Sequence, residues 1–277
     1  MGDHSRTFKM RFRMSHSIDR LLRIMARLRD RNGGCPWDIE QDFSTIAPHT
    51  LEEAYEVVEA IEAGDKASLK DELGDLLFQI VFYAQMADEE GSFDFEQVAE
   101  AIADKMIRRH PHVFGEAEMA DPTTHIRLWE EQKAAERAEK DAAGTLDGVS
   151  VTLPALPRAV KLQKRVARVG FDWPAVSQVF DKLEEEIGEL RAELSETPDQ
   201  QRIEEEMGDI LFVCANLARK LGVDPETALR GCNRKFERRF RHIETSLAGE
   251  GRRPEDASLE EMEDLWVAAK KLEKQHG

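Results

Sequence analysis

Cysteine is nearly missing from this chain of 277 residues: three occur, Cys35, Cys214 and Cys232, with no C-x-x-C pair among them. That excludes a disulfide scaffold. With no signal-peptide pattern ahead of them, it predicts a reducing, cytoplasmic setting. Aromatic residues make up only 7%, and 17 glycines with 10 prolines are too few for a loop-rich or low-complexity chain. No apolar run reaches the roughly 18 uncharged residues of a membrane span, because Gln79 and Asn216 interrupt the longest ones. The G-x-x-x-x-G-K-[ST] loop is absent too, which excludes a P-loop motor ATPase that releases orthophosphate. Positive charge is in deficit, with 39 basic against 56 acidic residues and a formal net charge of -17. A surface of that sign repels nucleic acid and anionic membranes, so neither is expected as a partner. An anionic substrate would need a cation to escort it.

What is abundant is alanine, glutamate and leucine, all strong helix formers, and the fold class expected is all-α. Matching residues recur at an offset of 133 to 137: Trp37 and Trp173, Glu53 and Glu186, Asp75 and Asp209, Trp129 and Trp266. A period that long is duplication of a whole domain rather than a solenoid unit. Each copy runs through G-x-x-W, E-E-x-x-E, E-x-G-D with an apolar run, a basic cluster and W-x-x-x-K. Residues 1–14 read as a disordered extension, 15–140 as the first domain, 141–157 as a linker and 158–277 as the second domain. Breakers such as Thr50, Gly64-Asp65, Gly91-Ser92, Pro111, Pro198-Asp199 and Asp224-Pro225 predict four to five helices per copy.

The acids of these motifs are the chemically informative residues. Glu53 and Glu56, like Glu186 and Glu189, are three apart and share a helical face; Glu72 with Asp75, and Glu206 with Asp209, do the same on a helix otherwise apolar nearly all round. Four carboxylates converging from two antiparallel helices repel one another unless a hard divalent ion sits among them. All-oxygen ligands without histidine favour magnesium over zinc or a ferritin-like di-iron site. His110 and His112 imitate a metal pair only weakly, since Pro111 breaks the helix between them. A lone E-x-x-E is ordinarily a solvated helical face, and Glu53 could simply close a capping box with Thr50. An Asp181 cap in the second copy would use Glu184, however, which leaves Glu186 unexplained. The double recurrence of E-x-x-E followed by E-x-x-D is what argues for a site.

These motifs, together with "NGGCPWD", "HTLEEAYEVVEAI", "RRHPHVF", "LPALPRAVKLQKR", "VGFDW" and "NRKFERRF", resemble those of the MazG nucleotide pyrophosphohydrolases in their tandem two-domain form. The resemblance runs from about Ser15 to the C-terminal region. It implies a four-helix-bundle core completed by pairing of subunits as a homodimer. It also implies Mg²⁺-dependent cleavage of nucleoside triphosphates, NTP or dNTP, between the α and β phosphates, with Mn²⁺ able to substitute. Carried onto matching positions, the metal ligands are Glu186, Glu189, Glu206 and Asp209. Lys182 and Arg202 resemble phosphate-proximal basic residues, Lys235 and Arg239 a triphosphate clamp, and Trp266 with Lys270 a pair that closes over the nucleotide. Glu186 or Glu189 is the natural general base, and Lys270 joins them as a catalytic charge.

In such tandem proteins the second copy generally carries the activity. The first copy retains Glu53, Glu56, Glu72 and Asp75 as a second-ranked metal site, with Lys105, Arg109, Trp129 and Lys133, but has "DKMIRRHPHVF" where the clamp should be. Two other classes stay open on the residues alone: a non-catalytic helical interaction or regulatory module, and a dUTPase-like hydrolase of narrow base specificity. Trp266 can equally be a core anchor, and Lys235 with Arg239 a solvated face.

Overall fold

The computed structural model describes residues 15–115, 144–194 and 198–276. The expected N-terminal extension, and Trp129 and Lys133 of the first copy, lie outside those residues. The chain divides into two compact units, Met1–Gln132 and Lys133–Gly277. Both are all-α, with no strand among the described residues.

In the first unit α1 (Ser15–Leu28), α2 (Pro36–Glu40), α3 (Phe43–Ala63), α4 (Lys66–Glu89), α5 (Phe95–Arg109) and α6 (Pro111–Phe114) follow in order. Two linked signals make α3 and α4 an antiparallel hairpin. Gly64 closes α3 in the left-handed region (φ 71°), where the missing Cβ removes the steric penalty, and Asp65 at once caps α4 by accepting from Ala67 N and Ser68 N. The two helices then pack against each other, with α1 against α4. Met25, Ile46, Val81, Phe82 and Met86 form the buried centre, and Leu21, Leu22, Phe78, Tyr83 and Phe95 surround it. Pro111 ends α5, as its sequence position predicts.

The start of α3 corrects the sequence reading. Thr50 does not open the helix. Asp42 accepts from Ser44 N and Thr45 N while Thr45 Oγ1 accepts from Asp42 N, a capping box whose cap residue lies eight positions before Thr50. Pro48 is carried inside, in the second turn, where its ring displaces only one early ladder bond. Thr50 instead sits 2.9 Å from the Tyr83 hydroxyl and ties α3 to α4. Glu53 therefore closes no capping box.

The described residues of the second unit begin with 144–154, where Arg165 Nη1 donates to Asp147 O at 3.1 Å. Then come α7 (Ala155–Ala167), α8 (Val176–Glu193), α9 (Gln200–Lys220), α10 (Pro225–Gly249), a 3₁₀ turn (Pro254–Asp256) and α11 (Leu259–His276). Helix α7 begins inside the stretch 141–157 expected as linker. Asp181 caps nothing, because α8 starts five residues earlier, where the Gln178 side chain accepts from Ala175 N. Asp199 caps α9, and Asp224 followed by Pro225 opens α10. Helices α8 and α9 pair as α3 and α4 do, α7 packs on α9, and α10 on α11.

Candidate metal centre

Each hairpin brings acids together. In the first unit, ligand oxygens of Glu53, Glu56 and Glu72 lie within 4.8 Å of one another; in the second, those of Glu186, Glu206 and Asp209 do. The periodicity of two facing amphipathic helices is the cause: positions three apart on one meet positions three apart on the other. The fourth expected member differs between copies, since Asp75 stands outside the first trio and Glu189 outside the second.

Like charges at this range show in the titration of the groups. Burial pushes the Glu53 carboxyl above its ordinary range, and Asp75, Glu56 and Glu72 push it further. Glu72 is raised by burial and then by Glu56 and Asp75. Glu189 is raised first by its hydrogen-bonding contact with Glu186, then by burial and by Glu206. The donor set is oxygen only, clustered and mutually repelling, and so fits a hard divalent cation. His110 Nδ1 lies 2.7 Å from Met106 O at the end of α5, and neither it nor His112 belongs to these groups.

The cations around the two clusters are not equivalent. Lys182 Nζ lies 2.7 Å from Glu186 and 2.8 Å from Glu185, and both carboxylates, Glu185 first, raise its own pKa. Glu186 is buried, so Lys182 supplies the countercharge its desolvation demands. The matching residue in the first copy is His49, which reaches only Glu52, at 3.5 Å. Where the second copy has Arg202 the first has Ser68, whose Oγ donates to the helix cap Asp65 at 2.9 Å. Aligning the two copies would have exposed both differences.

The remaining expected residues are placed as follows. Arg202 pairs with Glu193 at 2.6 Å, across the turn between α8 and α9. Arg239 sits over the Trp266 ring at 5.4 Å and binds Glu273 at 2.8 Å, while Trp266 also packs on Phe236 at 5.2 Å. Trp266 is thus both a packing anchor and a platform for a guanidinium. Glu273 escaped the sequence reading, although it lies seven residues beyond Trp266 and so on the same helical face. Lys235 and Lys270 are exposed and make no ion pair among the described residues. In the first copy Lys105 and Arg109 lie on the last turns of α5.

A duplicated all-α unit, with a carboxylate trio in each helical hairpin, defines the class. The family model of the MazG nucleotide pyrophosphohydrolase domain matches twice, over residues 41–114 and 176–244, so each match covers one acidic hairpin. The chain is 52% identical over 259 residues to the nucleoside triphosphate pyrophosphohydrolase of Escherichia coli, covering 93% of this chain and 98% of that one. It is 40% identical over 253 residues to the nucleoside triphosphate pyrophosphohydrolase/pyrophosphatase MazG of Thermotoga maritima, covering 91% and 95%. The chain belongs to the MazG nucleotide pyrophosphohydrolase family.

Proposed function

We propose that the chain hydrolyses nucleoside and deoxynucleoside triphosphates between the α and β phosphates, releasing a monophosphate and pyrophosphate, at the cluster of the second unit. The observation that carries this reading is the convergence of Glu186, Glu206 and Asp209 beside a lysine already bound to one of them. Magnesium, or manganese in its place, would neutralise triphosphate charge there and make water a better nucleophile. Glu186, Glu206 and Asp209 would hold that ion. Glu189, in contact with Glu186 but outside the trio, takes the proton of the attacking water. The water oxygen bonds to phosphorus as the bridging oxygen departs with the electron pair of its bond. Lys182 orients Glu186. Lys235, Arg239 and Lys270 offset the charge of the phosphates, and Trp266 positions the guanidinium of Arg239.

The same reading places the protein in the cytoplasm as a homodimer. Leu51, Tyr55, Leu73 and Ile80 on one hairpin, and Phe180, Met207 and Leu211 on the other, are exposed apolar residues that a paired hairpin would cover. None of the described helices is long and apolar enough to cross a membrane.

The test is product analysis with NTPs and dNTPs in the presence of Mg²⁺ and of EDTA. Pyrophosphate without orthophosphate is expected, with Mg²⁺ only. Glu186→Ala and Asp209→Ala should each lose at least about a hundredfold in turnover while keeping helicity. Full turnover in either variant would remove the site.

A further inference from the structure

Glu273 lies on the last turn of α11 and ties that helix to α10. Arg239 Nε and Nη2 both donate to its Oε2, at 2.9 and 2.8 Å, and Arg238 Nη2 donates to its Oε1 at 3.2 Å. The bonds from Arg239 hold the Glu273 carboxyl below its ordinary range, against the desolvation it suffers there. Helix stability does not account for the residue, because an acid in a last turn opposes the helix dipole. The sequence repeats the placement: an acid stands seven residues after the tryptophan in both copies, Glu136 after Trp129 and Glu273 after Trp266.

What the contact does follows from the shape of a guanidinium, which carries five N–H donors in one rigid plane. Glu273 takes one donor from Nε and one from Nη2, along a single edge of that plane. Both donors of Nη1 and the second of Nη2 are left at the far end, the pair of nitrogens that matches two phosphate oxygens. The Trp266 ring covers the guanidinium at 5.4 Å, and the Arg239 side chain is only 15% exposed. A plane held by its edge and covered on its face keeps one direction for its remaining donors.

Charge alone argues the other way. Glu273 cancels one of the two positive charges it touches, so its removal would improve the binding of a triphosphate if charge decided the matter. Loss of orientation would weaken binding instead. The two effects have opposite signs, which makes the role measurable.

We propose that Glu273 is a positioning residue for the triphosphate, holding Arg239 by Nε and Nη2 so that the remaining donors of its guanidinium meet the phosphates. The proposal rests on the reading of Arg239 as a phosphate-binding residue of the hydrolase.

Steady-state pyrophosphate release by the full chain with ATP and Mg²⁺ tests it, with helicity and melting temperature followed for each variant. Glu273→Ala should lower kcat/KM about three- to tenfold, the cost of leaving one long side chain for the substrate to order. Glu273→Gln keeps an acceptor oxygen without the charge and should stay within about twofold of the unaltered protein. In an Arg239→Lys chain, whose ammonium has no fork to orient, adding Glu273→Ala should cost nothing or raise kcat/KM. Glu273→Asp keeps the charge but is one methylene shorter, so it should lower kcat/KM in the Arg239 chain and not in the Arg239→Lys chain. That arm decides the matter if Glu273→Ala loses its helicity. An unchanged or higher kcat/KM in a folded Glu273→Ala chain would overturn the proposal, and so would equal losses in Glu273→Gln and Glu273→Ala. A loss of the same size in both backgrounds would mean a merely structural ion pair and would overturn it too. In each of those cases the hydrolase reading survives, whereas no pyrophosphate release by the unaltered protein removes both.

Discussion

Glu53→Gln should stabilise the first unit without a divalent cation and destabilise it, relative to the unaltered chain, with one. The charge on Glu53 is opposed by its own burial and by Asp75, Glu56 and Glu72, and its hairpin has no lysine at the position of Lys182. Each close like-charged pair on a helical surface is worth a few tenths of a kcal/mol. Three such neighbours put the relief at about 1 kcal/mol, a rise of about 2 to 5 °C in melting temperature for a unit of this size. With Mg²⁺ at a hundredfold excess over its dissociation constant, the unaltered site gains about 2.7 kcal/mol. The variant, with one ligand oxygen pair fewer in charge, gains much less. The order of the two melting temperatures therefore reverses between EDTA and Mg²⁺. Scanning calorimetry on the full chain at pH 7.5 reads it from the transition of the first unit. A Glu53→Gln chain that melts lower in EDTA would show that the cluster is not strained by its own charge. Equal gains from Mg²⁺ in both chains would show that no ion is held there.

Lys182→His gives the second hairpin the residue of the first. Pyrophosphate release should fall about tenfold or more, the worth of one charged hydrogen bond to a buried carboxylate, and unchanged kcat/KM would deny Lys182 its positioning role. Asp172→Ala should cost the second unit about 2 kcal/mol by chemical denaturation, since Arg219 and Lys220, 11% and 16% exposed, lose their shared carboxylate. Burial pushes the Asp172 carboxyl up, but hydrogen bonds from Arg219 and Lys220 outweigh it and hold it below the usual range. That stabilisation is complete above the unfolded value near pH 4 and is lost as pH falls through the lower folded value, so the gap between the two proteins should close below about pH 4. A gap that widens there would refute the pairing.

Much of this was legible before any coordinates. The acids could be read because their spacing is local, three residues on one helix, and the duplication repeats the pattern independently. Gly64 with Asp65, and Asp224 with Pro225, could be read because a cap is a short-range device. Thr50 misled for the same reason: it imitates a cap, yet a better start lies upstream, and only packing decides between two locally acceptable starts. Thr50 is drawn into the hairpin by Tyr83, 33 positions away. Ion partners were least legible. Arg202 with Glu193, and Arg239 with Glu273, depend on where a turn or a neighbouring helix returns the chain.

The two copies share their anions and differ in their cations, and that difference bears on where turnover occurs. A carboxylate trio alone can hold a divalent ion, since this needs only oxygen donors at short range. Cleaving a triphosphate needs more, because the substrate brings several negative charges to a place already negative, in a chain whose net charge is -17. In the second hairpin Lys182 neutralises part of the cluster, and Arg202, Lys235, Arg239 and Lys270 follow on α9, α10 and α11. In the first, His49 reaches Glu52 rather than Glu53, and Ser68 spends its hydroxyl on a helix cap. Holding an ion is thus within reach of both hairpins. Drawing in an anionic substrate around that ion is favoured chiefly in the second.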